Sequence, residues 1–391
     1  MNPCVQVASA GFIGLDTRIT EHTPVCSCRI CKSSGENFMK KTLIALAALV
    51  SASAFAQSSV TLYGVVDASI ENVKGAKSVT RVSSDNLASS RLGFRGVEDI
   101  GGGLKGKFTL ETAVAVDTGA NGGGATRFFD RAAWLGLETG YGELRLGRQD
   151  SSIGVIAGNS AILGTQAYDD LRIANMLASS TYRRVDNGIT YILPKLVDGL
   201  SAQVQYSTAV GSSSAVGTET SGVDTGEAYG LNAQYVAGPL GLGLGYVSAK
   251  QNTNGTQEAD AVLVYGSYDF GLAKVTAYFE QDDSDSNNTS AAYDKRALAG
   301  LKAAVPLSKD FTLTASVAQA SNVNFVANAD ALIVALKGQY NLSKRTAVYG
   351  LLTAVDNDNG TTSNANIGVA QQMPGAGKSS HGIAFGVRHA F

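Results

Sequence analysis

Cysteine disappears early from this chain. All four cysteines (Cys4, Cys26, Cys28, Cys31) fall within the first 31 of 391 residues, so the remainder must be held together without disulfides. The run Cys26-Ser27-Cys28-Arg29-Ile30-Cys31 near His22 lacks the paired two-residue intervals of a zinc site, so no metal site and no cofactor are expected. Histidine is nearly as scarce. Beyond His22 only His381 and His389 occur, and no Ser-His-Asp arrangement can be assembled inside a cavity from them; no catalytic residue is assigned. A formal charge of −2 offers no basic face for nucleic acid. Beyond residue 57 no apolar run reaches the roughly 18 residues of a candidate membrane-spanning helix, which excludes helical spans.

What is present begins with an export signal. Met39-Lys40-Lys41 is a positive start, Thr42 to Val50 an apolar run, and Ala54-Phe55-Ala56 a small-x-small cleavage site before Gln57. The expected division is therefore a leader at 39–56 and a mature chain at 57–391. Residues 1–38 precede the leader and read as an upstream extension from a mis-assigned start, outside the fold.

Along the mature chain, apolar and polar residues alternate with a period of two. Val60, Leu62, Val66 and Ile70 share one face, with Thr61, Tyr63, Asp67 and Ser69 on the other. Strand side chains point alternately to two sides, so such segments have one dry face and one wet face. Sixteen are expected: about 59–71, 90–98, 104–116, 129–138, 142–149, 186–194, 200–209, 227–237, 240–251, 258–270, 273–282, 294–306, 311–321, 330–342, 345–356 and 380–391. Short turns alternate with long polar connections, as on the two rims of an outer-membrane barrel. In lipid every backbone N–H and C=O needs an internal partner, so the sheet must close. The fold class is all-β: a 16-stranded antiparallel transmembrane barrel with short periplasmic turns and long extracellular loops.

Several local patterns bear on function. Arg91 and Arg95 share one face of Ser90–Gly96, with Leu92 and Phe94 on the other; Arg131, Arg145 and Arg184 also begin or occupy strands. Rings of charged side chains set pore selectivity, so arginines converging on one wall point to a lumen lining. The longest connection, 150–185, carries Ile153, Val155, Ile156, Ile162, Leu163, Leu171, Ile173, Met176 and Leu177. Folding into the lumen would bury them, narrow the channel and set Asp169 and Asp170 against the arginines. Three of these arginines against the two acids imply a weak anion preference. The last segment ends in an apolar comb, His381, Ile383, Phe385, Val387, His389 and Phe391, which suits lipid contact and recognition by a barrel-assembly machine. Gly101-Gly102-Gly103-Leu104-Lys105-Gly106-Lys107-Phe108 resembles a phosphate loop but opens a strand and lacks the hydroxyl after lysine, so it reads as a tight turn. Asn288-Thr289-Ser290 is a chance match to a glycosylation triplet in a bacterial export context.

Ser59–Asp67, Ser90–Lys105, Gly142–Arg148, Asp186–Ile189, Tyr340–Thr346 and Gly386–Phe391 together resemble the Gram-negative general porins, in the branch typical of β-proteobacteria. The resemblance covers essentially all of 57–391. It implies an outer-membrane homotrimer of sixteen-strand barrels passing small solutes and ions by passive diffusion. It also implies contacts with outer-membrane lipid and lipopolysaccharide, and a third loop folded inside as a constriction. The family's constriction arginines correspond to Arg91, Arg131 and Arg184, opposed by loop acids at Asp169 and Asp170. One departure is that Leu135 and Leu137 fall on the same face as Arg131, where inward residues should be polar.

Overall fold

The computed structural model describes residues 58–122, 127–160, 167–210, 226–250, 258–285, 295–358, 366–375 and 377–391. The expected leader at 39–56, the upstream stretch 1–38 with its cysteines, Ile162, Leu163 and the Asn288 triplet lie outside these residues. Among the described residues, no helix is long and apolar enough to cross a membrane.

Closure is visible at the first strand. The first half of β1 (Ser59–Lys74) pairs antiparallel with β3 (Arg91–Gly101), Ser59 opposite Val97 and Val65 opposite Arg91. On its other edge β1 pairs with β17 (Ser380–Ala390), Val65 opposite Ala390 and Lys74 opposite His381. From β3 onward each strand pairs antiparallel with the next: β4 (Leu104–Ala113), β5 (Ala132–Thr139), β6 (Gly142–Asp150), β7 (Arg184–Ile192), β8 (Leu200–Val210), β9 (Ala228–Ala237) and β10 (Leu240–Lys250). The series continues through β11 (Glu258–Asp269), β12 (Lys274–Ser284), β13 (Lys295–Pro306), β14 (Phe311–Ser321), β15 (Ala331–Asn341) and β16 (Thr346–Asn357) to β17. All sixteen expected segments are strands of this closed wall. A ring of strands has no edge, so its ladder satisfies the backbone in lipid and does the work that disulfides do elsewhere.

A seventeenth strand, β2 (Ser78–Ser84), lies within what the sequence suggests is a plain loop. It pairs with Ala68 to Lys74 of β1, the half that β3 leaves uncovered. Val79, Thr80 and Val82 favour strand, while Arg81 ties to Glu71 and Asn72 donates to Thr80.

Inside and outside follow the alternation. On β15, Leu332, Val334 and Leu336 are exposed, while Ala331, Ile333 and Ala335 are buried. The outward set is the lipid face. The inward faces of β10 to β16 are unusually apolar: Val247, Leu263, Leu298, Ile333, Leu351 and Val355 are fully buried. What covers them is the connection between β6 and β7, hereafter loop 3, through its described residues 151–160 and 167–183. Its Ile153, Ile156, Leu171, Met176 and Leu177 join the same core cluster. Each such side chain contributes about 1.5–3 kcal/mol by leaving water. Close approach is possible because β10 is glycine-rich. A Cβ at Gly245 would meet the Cα of Ile153 and Cγ1 of Ile156, both at 2.9 Å, so only glycine lets α1 (Ser152–Ser160) lie against the wall.

Candidate functional site: the charged channel

One arc of the wall, β3 to β7, carries the charge. Arg91 opens β3, and its Nε lies 3.6 Å from Oε2 of Glu111 on β4. Arg131 stands just before β5, its Nε 2.6 Å from Oε1 of the same carboxylate. Tyr63 donates its hydroxyl to Glu111 Oε2 at 2.9 Å. Next along the arc, Asp150 at the end of β6 pairs with Arg184 Nε at 3.3 Å and Arg183 Nη2 at 3.2 Å. Arg131 lies within electrostatic reach of both Asp150 and Arg184, and Arg91 of Arg131, so the two clusters form one group. Each carboxylate serves two guanidiniums, and Asp85 also lies within electrostatic reach of Arg131.

Arg95 sits four residues beyond Arg91 on β3 and stacks on the Tyr63 ring, 5.2 Å from its centroid. Towards the short-turn rim the charge continues. Arg145 Nε is 2.5 Å from Glu143 Oε1 and its guanidinium lies over Trp134 at 4.3 Å, while Lys107 bonds Glu138 and reaches Glu143 at 3.2 Å.

The phase problem at Arg131 resolves here. The strand expected from 129 starts at Ala132, opposite Glu111, so Ala132, Trp134 and Glu138 face inward. Leu135 and Leu137 face lipid and are exposed. Arg131 precedes the ladder, so alternation does not govern it, and it turns inward to Glu111.

Loop 3 crosses the lumen against the opposite arc. Ser152 at the start of α1 is held by Gln205 of β8, Gln203 and Asn232 of β9, through bonds of 2.9, 3.1 and 2.8 Å; Gln203 also belongs to β8. Further along, Leu177 N–H donates to Asp282 Oδ2 at 3.0 Å and Ala178 N–H to Glu280 Oε1 at 2.9 Å, both on β12. Tyr168 donates to Glu71 of β1 at 3.0 Å.

Asp169 and Asp170 require a correction. Expected opposite the arginines, they turn away and are buried. Lys302 of β13, itself fully buried, lies 2.7 Å from Asp170 Oδ1 and 3.3 Å from Asp169 Oδ2. Tyr278 of β12 donates to the other oxygen of Asp170. Asp169 also caps α2 (Asp170–Ile173), accepting from Leu171 N–H at 3.2 Å. The physical reason is pairing: a buried ammonium needs carboxylates, and two aspartates can serve it only from behind the loop. Burial pushes the Asp169 carboxyl up to about 7, against the pull of Lys302. These are the only acids between residues 151 and 183. What loop 3 leaves exposed, among its described residues, is Asn159, Asn175 and Thr181.

Glu111, Asp150, Lys302 and Tyr278 were not singled out from sequence. The inward phase of Glu111, Tyr278 and Lys302 was legible in the alternation of 104–116, 273–282 and 294–306, but not their partners across the lumen; Asp150 lies one residue beyond the expected strand 142–149, past a register shift between Gly147 and Gln149 that breaks the alternation. At the closing seam, Phe391 N–H and C=O both bond Gly64 at 3.1 Å, and its ring occupies the space a Cβ on Gly64 would need.

A profile described as Gram-negative porin matches residues 42–360. The chain belongs to the Gram-negative porin family. Outer membrane porin protein 32 of Delftia acidovorans is 32% identical over 374 residues, covering 90% of this chain and all of that one. Among solved structures, the anion-selective porin from Comamonas acidovorans superposes with a TM-score of 0.71 at 28% identity, over 86% of this chain and all of that one. The trimer form of OmpT from Vibrio cholerae gives 0.60 at 17% identity, over 85% and 99%, a likeness of fold alone. This porin is accordingly an outer-membrane protein of a Gram-negative bacterium, forming a water-filled channel for passive diffusion of small hydrophilic solutes.

Proposed function

We propose that the porin is an anion-preferring diffusion pore, acting without catalysis, whose constriction lies between Arg91, Arg131 and Arg184 and the neutral face of loop 3. Arg95 extends the positive lining below it. The observation that carries this reading is the burial of Asp169 and Asp170 against Lys302, which takes both loop carboxylates away from the channel side. A passing anion then meets guanidiniums on one side and no carboxylate from the loop on the other. The likeness to a porin described as anion-selective supports it. A homotrimer is the assembly that the resemblance to the Gram-negative porins implies for this chain. Outer-membrane lipid and lipopolysaccharide would contact the outward aliphatics. The leader at 39–56 would be removed, leaving 57–391 as the mature porin, and Phe391 would present the signal read by barrel-assembly machinery.

Swelling of proteoliposomes tests the selectivity. Anionic solutes should enter faster than cationic ones of equal size; the reverse order would overturn the reading.

A further inference from the structure

A second cavity carries charge, at the rim bearing the long loops. It has a volume of about 540 Å³ and lies between β2, the stretch Ala167–Asn175 of loop 3, Asn324 beyond β14, and residues 367–373 ahead of β17. Arg81 and Arg172 both line it. Arg81 binds Glu71 Oε1 at 2.6 Å through Nε, yet 40% of its side chain is exposed. Arg172 donates Nη1 to Ser179 C=O at 2.6 Å. Glu71 is buried and also accepts from Asn86 and Tyr168, so the charge left towards the cavity is positive. Ser83, Ser84 and Asn175 add hydrogen-bonding groups, and Ile173, Ala370 and Met373 add apolar surface.

The cavity is also preformed. Asn175, Asn324, Ala370 and Gln371 all line it with φ between 49° and 61°, left-handed backbone that side-chain-bearing residues rarely adopt. Such conformations persist where the surroundings dictate them, and they gather at ligand clamps. Here the constraint is a set of bonds: Ala370 N–H to Ala167 C=O at 3.2 Å, Val369 N–H to Ser380 Oγ at 3.1 Å, and Ile367 N–H to Asn357 Oδ1 at 2.9 Å. A site already shaped spares a ligand the cost of ordering it. Convergent polar groups on a partly apolar wall are the common form of a small-molecule site.

We propose that this cavity captures small amphiphilic carboxylates at the loop-side mouth, before they reach the constriction. The carboxylate sits on Arg81 and Arg172, and the apolar body lies on Ile173, Ala370 and Met373. This goes beyond selectivity of the channel, because it is a binding site off the narrowest point.

Equilibrium dialysis of benzoate against the detergent-solubilised porin tests it. Benzoate should bind saturably, and acetate, which has the carboxylate without the ring, more weakly. Arg81→Gln should weaken benzoate binding about tenfold, the loss of one charge-assisted contact. Met373→Trp, at an exposed position, fills the cavity without altering charge and should weaken binding too, so the test stands even if the arginine variant fails to fold. Arg131→Ser should bind benzoate as the wild type does. The proposal is overturned if benzoate does not bind saturably, if Arg81→Gln and Met373→Trp both bind normally, or if only Arg131→Ser loses binding, which would put the anion at the constriction.

Discussion

Lys302 and Asp170 meet 2.7 Å apart, both fully buried, between the barrel wall and loop 3. The contact fastens loop 3 to β13, and it removes from the channel side a carboxylate that would otherwise offset the arginines. Anchoring and selectivity thus depend on one ion pair. Removing either partner leaves an uncompensated buried charge, which is far more damaging than losing an exposed bridge.

Lys302→Met should therefore free loop 3 at a cost of about 3–5 kcal/mol to its anchoring. Trypsin offers a direct readout, since Arg172 and Arg183 lie in the loop. The folded variant should be cut there while the wild-type porin resists. Equal resistance would mean that the aliphatic contacts of the loop suffice.

Arg91→Ser and Arg131→Ser should each move permeability towards cations by about two- to fivefold, the equivalent of 0.4–1 kcal/mol of screened Coulomb energy. The double variant should move it further, because Glu111 then keeps only Tyr63 as a partner. If neither single variant alters selectivity, the Glu111 cluster lies off the permeation path.

Acidity should matter near neutrality. Burial raises Asp169 from an ordinary 3.8 to about 7, with Lys302, Asp170, Lys337 and Arg172 among the charges acting around it. Above that value the carboxyl is ionised; below it, it is neutral and the cluster gains positive charge. Anion preference should thus rise as pH falls from about 8 to about 6. The folded form binds the extra proton, so loop 3 should be held more firmly on the acid side and lose that contribution as pH climbs from 3.8 towards about 7. Asp169→Asn should abolish the pH step in reversal potential; a step that survives would belong to another group.

The lipid face can be probed at Val334, outward and exposed on β15. Val334→Arg should destabilise the barrel by about 2–4 kcal/mol, the cost of a guanidinium in the hydrocarbon layer. Unfolding from lipid vesicles would measure it. A change near zero would place Val334 outside the bilayer.

Alternation carried most of the fold, because lipid outside and water inside impose opposite demands on successive residues. Segments such as 330–342 and 345–356 were readable for that reason. β2 was not: Ser78–Ser84 is short, and Val82, opposite Ile70, is its one exposed aliphatic, too little for an apolar comb. At the site, phase assigns Lys302 to the inner face but cannot say that it meets Asp169, 133 residues distant. The same limit hid Glu111, whose inward direction was readable while its partner Arg131 depended on where β5 begins; Asp150 was hidden by the register shift between Gly147 and Gln149, which breaks the alternation of its strand. Arg131 misled in phase because it lies one residue before the ladder starts.

The most direct measurement is the reversal potential of the wild-type porin in a planar bilayer under a potassium chloride gradient. Loop 3 keeps its two acids behind it while the β3–β7 arc keeps its guanidiniums in view, so chloride should carry more current than potassium. A potential of the opposite sign would contradict the account at its centre.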